Sequence, residues 1–220
     1  MTQLRMLLLA FFFTVMSTAQ AETGPVLFKD YLYGMADEGF SNNSAYYNCS
    51  EEFSVNALCL DDVSFLSTKF TIGLLFQEKR LQSVVLYTDF SEPTYLKTIS
   101  ALIKSFQISS MQSKNKNLDI IELNYKKTKE ANLRGIINSF ESNALSEGLL
   151  TYTFLEIQEY KNDHAINLVD LIRKLPNSSR QVDFTVGEEQ NETLLVLSFT
   201  LPALKLQQLQ DIIRKPIEKF

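Results

Sequence analysis

Histidine occurs once in this chain, cysteine twice and glycine only seven times, and each scarcity removes a class of chemistry. With His164 alone there is no HExxH pair and no Cys/His cluster, so a histidine-based metal site is not expected. Catalysis through His164 would need a nucleophile or carboxylate converging on it, and the sequence identifies none. So few glycines leave no phosphate-cradling loop and no nucleotide fingerprint, and no GxSxG elbow is present. The expectation is a chain with no catalytic residue, no metal and no cofactor.

Positive charge is scarce too. The formal net charge is −5, so the chain repels phosphate backbones and nucleic-acid binding is not expected. Lys114, Lys116, Lys126, Lys127 and Lys129 form a local basic stretch, read as a solvated loop and helix entry. The acidic pairs Glu51-Glu52, Asp61-Asp62 and Glu188-Glu189 do not alternate around a glycine as a calcium loop requires, so they read either as solvated surface or, in part, as a face toward a basic partner. After Ala21 no apolar run approaches the roughly 18 residues a membrane helix needs, so no membrane span is expected.

What is present begins with the first 21 residues. Arg5, the apolar run Met6 to Met16 and the small-residue end Ala19-Gln20-Ala21 have the layout of a cleavable secretory signal peptide. The expected product starts at Glu22 and works outside the cytoplasm, in the periplasm of a bacterium. Losing Arg5 leaves 20 basic against 26 acidic residues, a net −6. Cys49 lies far from the cleavage point, so the usual lipoprotein anchor is missing. In an oxidising compartment, Cys49 and Cys59 are expected to form a disulfide; neither CxxC spacing nor a neighbouring histidine favours a redox or metal pair. Four Asn-x-Ser/Thr sequons, at Asn42, Asn48, Asn177 and Asn191, matter only in a eukaryotic secretory pathway.

Hydrophobic residues make up 45% of the chain, and Phe and Tyr supply 16 and 9 side chains, enough for a real core. Val26 to Tyr33 reads as a strand, Met35 to Phe40 as a turn or two of helix, and Asn42 to Glu52 as a polar loop tied to a short extended piece, Ala57 to Leu60. Phe70 to Phe76 and Leu81 to Tyr87 form a β-hairpin around the four residues Gln77 to Arg80. Ser91 caps a helix with Pro93 in its first turn, and Leu96, Ile99, Ile103 and Phe106 give it one apolar stripe toward the sheet. A strand over Leu118 to Tyr125 and a helix over Thr128 to Leu145 follow, the latter burying Leu133, Ile136, Ile137 and Phe140. Leu149 to Ile157 is a strand, and Asp163 to Leu175 a helix. Val182 to Val186 and Leu194 to Thr200 form a second hairpin, and Pro202 opens a helix carrying Leu206, Leu209, Ile212 and Ile213.

The order strand, strand, helix therefore occurs twice, at an offset of 110 that places Leu96, Ile99 and Leu102 on Leu206, Leu209 and Ile212. Two amphipathic helices after hairpins would align as well by chance, so a degenerate tandem ββα repeat is one of two readings. The fold class is α+β, mainly antiparallel sheet with helices packed on one face. Its division is 1–21 as signal, 22–112 as an α+β unit with the disulfide loop and 113–220 as a second α+β unit, or the last two as one continuous domain.

Tyr33-Gly34-Met35-Ala36-Asp37-Glu38, then Cys49, then Leu58-Cys59-Leu60-Asp61-Asp62-Val63, then Leu81-Gln82-Ser83-Val84, make a familiar layout. Over Val26 to Phe106 it resembles small envelope domains of the β-lactamase-inhibitor-protein and outer-membrane-assembly-lipoprotein type. That resemblance implies a sheet presenting a binding face. The chain also resembles periplasmic immunity proteins encoded with type VI secretion effectors. The implied function is neutralisation of a secreted lipid- or wall-degrading enzyme by occlusion, or else a non-catalytic role in envelope assembly or structure. Tyr46 and Tyr47, inside the disulfide loop, are the candidate partner-binding residues.

Overall fold

A computed structural model describes residues 24–156, 165–189 and 192–214. The segment read as a signal peptide, His164 and Asn191 lie outside the described residues, as do the side chains of Ile212, Ile213 and Arg214.

The chain folds as α+β around one large antiparallel sheet. Before the sheet come β1 (Val26–Phe28) and β2 (Tyr31–Leu32), paired on each other, so the continuous strand expected over Val26 to Tyr33 is instead two. Lys29, at φ 48°, turns the chain between them. The helix expected over Met35 to Phe40 is the single turn α1 (Glu38–Ser41). The polar stretch after it carries β3 (Tyr47–Asn48) and α2 (Ser50–Phe53).

Three long strands follow, β4 (Asn56–Phe65), β5 (Thr68–Gln77) and β6 (Arg80–Asp89). Each is joined to the next by two residues, not four: Leu66 and Ser67 have φ of 50° and 62°, Glu78 and Lys79 of 50° and 60°. Two successive left-handed residues make the turn whose twist matches a hairpin, here without the usual Asn-Gly. β4 runs well past Leu60 because a bulge at Asp61-Asp62 changes its phase. The extra residue puts Leu60 and Val63 on the same face, where strict alternation would oppose them.

α3 (Glu92–Leu102) starts at Ser91, whose Oγ accepts the Thr94 N–H at 3.3 Å. Of the expected stripe, Ile99 and Phe106 pack against the core, and the other half is corrected. Thr94, Thr98 and Leu102 are buried, while Leu96 and Ile103 are 53% and 57% exposed. Thr94 is held to Thr68 of β5 at 3.3 Å, and Tyr95 reaches under the helix to Tyr152 at 2.8 Å; these two anchors fix the rotation. β7 (Gln107–Ser113) was unexpected. The strand read over Leu118 to Tyr125 is instead β8 (Asn117–Asp119) followed by α4 (Ile120–Tyr125). Asp119 explains the switch, because its Oδ1 accepts the Glu122 N–H at 3.0 Å and starts the helix.

α5 (Glu130–Ser146) packs through Ile137, Phe140 and Ala144, leaving Ile136 37% exposed. β9 (Leu149–Leu155), α6 (Leu168–Lys174), β10 (Gln181–Glu189), β11 (Glu192–Thr200) and α7 (Pro202–Arg214) complete the chain.

The sheet order is β3-β4-β5-β6-β11-β10-β9-β7-β8. Near its middle β6 pairs with β11, and each is flanked by the first strand of its own hairpin. The sheet is therefore continuous across residues 112 and 113, which fall within β7. One face carries the main core, with Phe70, Ile72, Leu74, Val84, Leu86, Leu197, Phe199 and Phe184 under α3, α5 and β1. Successive residues point to the other face. There α2 packs at one end, against Ala57 and Cys59, and α6 at the other, against Leu155 and Ile121. Between them the second face is open.

Candidate functional site

The open face is built by strand alternation. Tyr87 of β6, Leu194 and Val196 of β11, and Thr185 and Asp183 of β10 all point away from the core and are half-exposed. α2 forms a wall beside them. Its position depends on Gly73 of β5, where a Cβ would sit 2.9 Å from the Phe53 ring. Without that side chain the ring brings its edge against the strand and meets Tyr87 edge-on, centroids 6.2 Å apart. The Cys49–Cys59 disulfide ties the start of α2 to β4, with Cα atoms 5.8 Å apart, as the two-cysteine count predicts.

Hydrogen bonds lock the wall to the face. Tyr87 donates its hydroxyl to Glu52 at 3.0 Å, and Tyr47 donates to Asp61 at 2.9 Å. Asp61 Oδ1 also accepts from Thr71 at 2.8 Å. Burial and the Glu52 carboxylate push the Tyr87 phenol well above the ordinary tyrosine range. Burial, then Asp61, raises that of Tyr47 as well. Both phenols therefore stay protonated as donors.

A cleft of about 580 Å³ opens between α2 and the start of β11. Phe53, Tyr87, Leu194 and Val196 give it an apolar floor, and Glu51, Glu52 and Glu192 an acidic rim. Further along the face the surface becomes polar: Thr151 and Thr185 share a 2.8 Å hydrogen bond, and Thr153 donates to Asp183 at 2.8 Å. Desolvation lifts the Asp183 carboxyl above its usual value, against the bonds from Gln181 and Thr153.

The two candidate tyrosines part company. Tyr47 pairs with Cys59 across β3 and β4 and stands 41% exposed on the open face. Tyr46, one residue earlier, points the other way. Its hydroxyl meets that of Tyr31 at 3.0 Å, and its ring packs edge-on against Phe40. Alternation alone separates them. Phe53, Tyr87 and Glu192 were not among the candidates, and Glu52 entered only through the acidic pair Glu51-Glu52; a further hint in the sequence is an isolated glycine, Gly73, within a strand.

No protein-family model, curated protein or solved structure matches this chain. Its chemistry has to be read from the site itself. Among the described residues, no group of three His, Cys, Asp or Glu side chains is placed to hold a metal ion, and no described helix is long and apolar enough to cross a membrane. The open face offers shape, two oriented phenols and a rim of carboxylates. That set is complementary in charge and polarity to basic and apolar groups.

Proposed function

We propose that this is an exported binding protein that neutralises a toxic secreted enzyme by covering it, in the manner of immunity proteins encoded with type VI effectors. The observation that carries this reading is the open sheet face: an apolar floor and acidic rim, held by the disulfide, Gly73 and two tyrosine–carboxylate bonds. A preorganised face loses little entropy on binding, and aromatic residues at its centre are the usual hot spots. The partner presents basic residues to Glu51, Glu52 and Glu192, and the complex buries on the order of 1,600 Å². The signal-peptide layout of the first 21 residues and the disulfide support work in an oxidising envelope compartment.

The test is protection. Cells exporting the co-encoded toxin should survive only when this protein is co-produced, and the two should purify as a one-to-one complex. Glu51→Lys combined with Glu192→Lys, which spares the Tyr87–Glu52 bond, should abolish protection while leaving the thermal transition of the purified protein in place. Full protection by that variant would overturn the reading. So would loss of outer-membrane integrity on deleting the gene in cells that lack the toxin, which is the outcome expected of an assembly factor.

A further inference from the structure

A second, smaller concavity lies at the other end of the same sheet, where β5 ends, β6 begins and α7 leaves β11. Its volume is about 280 Å³. Leu75, Phe76 and Leu201 form an apolar base. Val55 adds an exposed apolar wall, and the other lining groups are hydroxyls, amides and one charge, Lys205. Among the described residues no carboxylate lines it, and the carboxylate that feels Lys205 is Asp183, on β10 outside the pocket. In a chain with an excess of acidic residues, a pocket whose one charged lining group among the described residues is a lysine favours an anion.

Two independent features of the backbone and side chains build this pocket. Across β5 and β6, Leu75 pairs with Ser83 and Phe76 with Leu81, so Gln82 is an extra residue in a bulge. Bulges re-aim a side chain, and this one sits in the pocket wall. On the facing side, Gln208 of α7 donates to the Tyr33 hydroxyl at 2.7 Å. That bond uses an acceptor site of the phenol and leaves its proton free to donate. Phe199 and Val84 are the last paired residues of β11 and β6, so Ser83 and Thr200 stand next to each other across the ladder. Two hydroxyls, a phenol and an ammonium thus border a greasy base.

We infer that this pocket binds a small carboxylate with an apolar body, its head at Lys205 and the hydroxyls and its tail on Leu75 and Val55, over the buried Phe76 and Leu201. The arrangement discriminates by head group: a neutral analogue forgoes the charge-assisted bond, and a cationic one is repelled by Lys205. The inference does not rest on the occlusion reading, because the cleft beneath α2 uses none of these polar groups.

Octanoate is a suitable probe, with octanol and octylamine as neutral and cationic counterparts. Titration into the purified protein, followed by calorimetry and by amide shifts in nitrogen-labelled material, should give saturable one-to-one binding of octanoate. The shifts should centre on Ser83, Thr200 and Gln208. Lys205→Gln should weaken octanoate by about tenfold or more, the worth of a hydrogen bond to a charged group, and leave octanol unchanged. Lys205 is exposed, so this variant should fold. Thr200→Val provides a second, uncharged probe of the same contact. Glu51→Lys combined with Glu192→Lys should not alter octanoate binding, which separates failure here from failure of the occlusion reading. Unsaturable binding, equal affinity for octanol, or shifts confined to other parts of the molecule would overturn the inference.

Discussion

Thr98, on the inner face of α3, is wholly buried, and its hydroxyl has no hydrogen-bond partner among the described residues. An unsatisfied buried hydroxyl costs on the order of 1–3 kcal/mol, so a methyl of the same shape should be better tolerated. Thr98→Val should raise stability by about 1 kcal/mol, read as a higher midpoint in chemical denaturation. Glu156 is the opposite case. Its carboxylate holds Arg180 through Nε at 2.8 Å and a second guanidinium nitrogen at 2.6 Å, closing the excursion between β9 and β10. Those bonds to Arg180 set the Glu156 carboxyl below its ordinary value of 4.5. A carboxyl depressed in the folded state stabilises above the unfolded value and loses that contribution as pH falls through the folded one. Glu156→Gln should therefore destabilise the protein at pH 7 and flatten the loss of stability below about pH 4.5, as seen in denaturation midpoints across an acid series.

Among the elements, Asp119 has two tasks. One carboxylate oxygen caps α4 at Glu122, and the other accepts the Leu168 N–H at 2.8 Å, next to Asn167, which caps α6. Two helix starts thus share one side chain. Asp119→Ala should cost roughly 2 kcal/mol, more than an ordinary cap, with faster amide exchange in both helices at once. This switch from strand to helix was not legible, because Leu118 to Tyr125 is apolar enough to read as strand and the deciding bonds come from Asp119 and a distant turn. The hairpins were legible, since Phe70 to Phe76 and Leu194 to Thr200 obey strand patterning on their own. β7 was hidden for a different reason. It keeps Ser109 and Ser113 buried and offers only Ile108 and Met111 as apolar signals; Ser109 meets its need by donating to the Thr153 carbonyl at 2.9 Å. Helix rotation failed where tertiary anchors overrode the apolar stripe, as Tyr95 does for α3. Of the site, Tyr47 could be picked out locally. Its partners Asp61, Glu52 and Tyr87 depended on registers across three strands, to which the sequence gives no direct access.

At the scale of the whole molecule, the disulfide and the central strand pair govern different properties. Closing the loop between Cys49 and Cys59 contributes roughly 2–3 kcal/mol on the chain-entropy account, and it also seats the wall of the acidic cleft. Replacing both cysteines with serine should lower stability by about that amount, measured by denaturant titration, and weaken any partner that uses the cleft. The β6–β11 pairing joins segments more than a hundred positions apart, and neither hairpin can cover its inner edge without the other. Contacts so distant along the chain make assembly slow. β11 is also the furthest along of the described strands, although it occupies the middle of the sheet. For a polypeptide threaded through a pore from its amino end, the central strand is the last of the described strands to be delivered. The two halves of the sheet can then join only when most of the chain has passed.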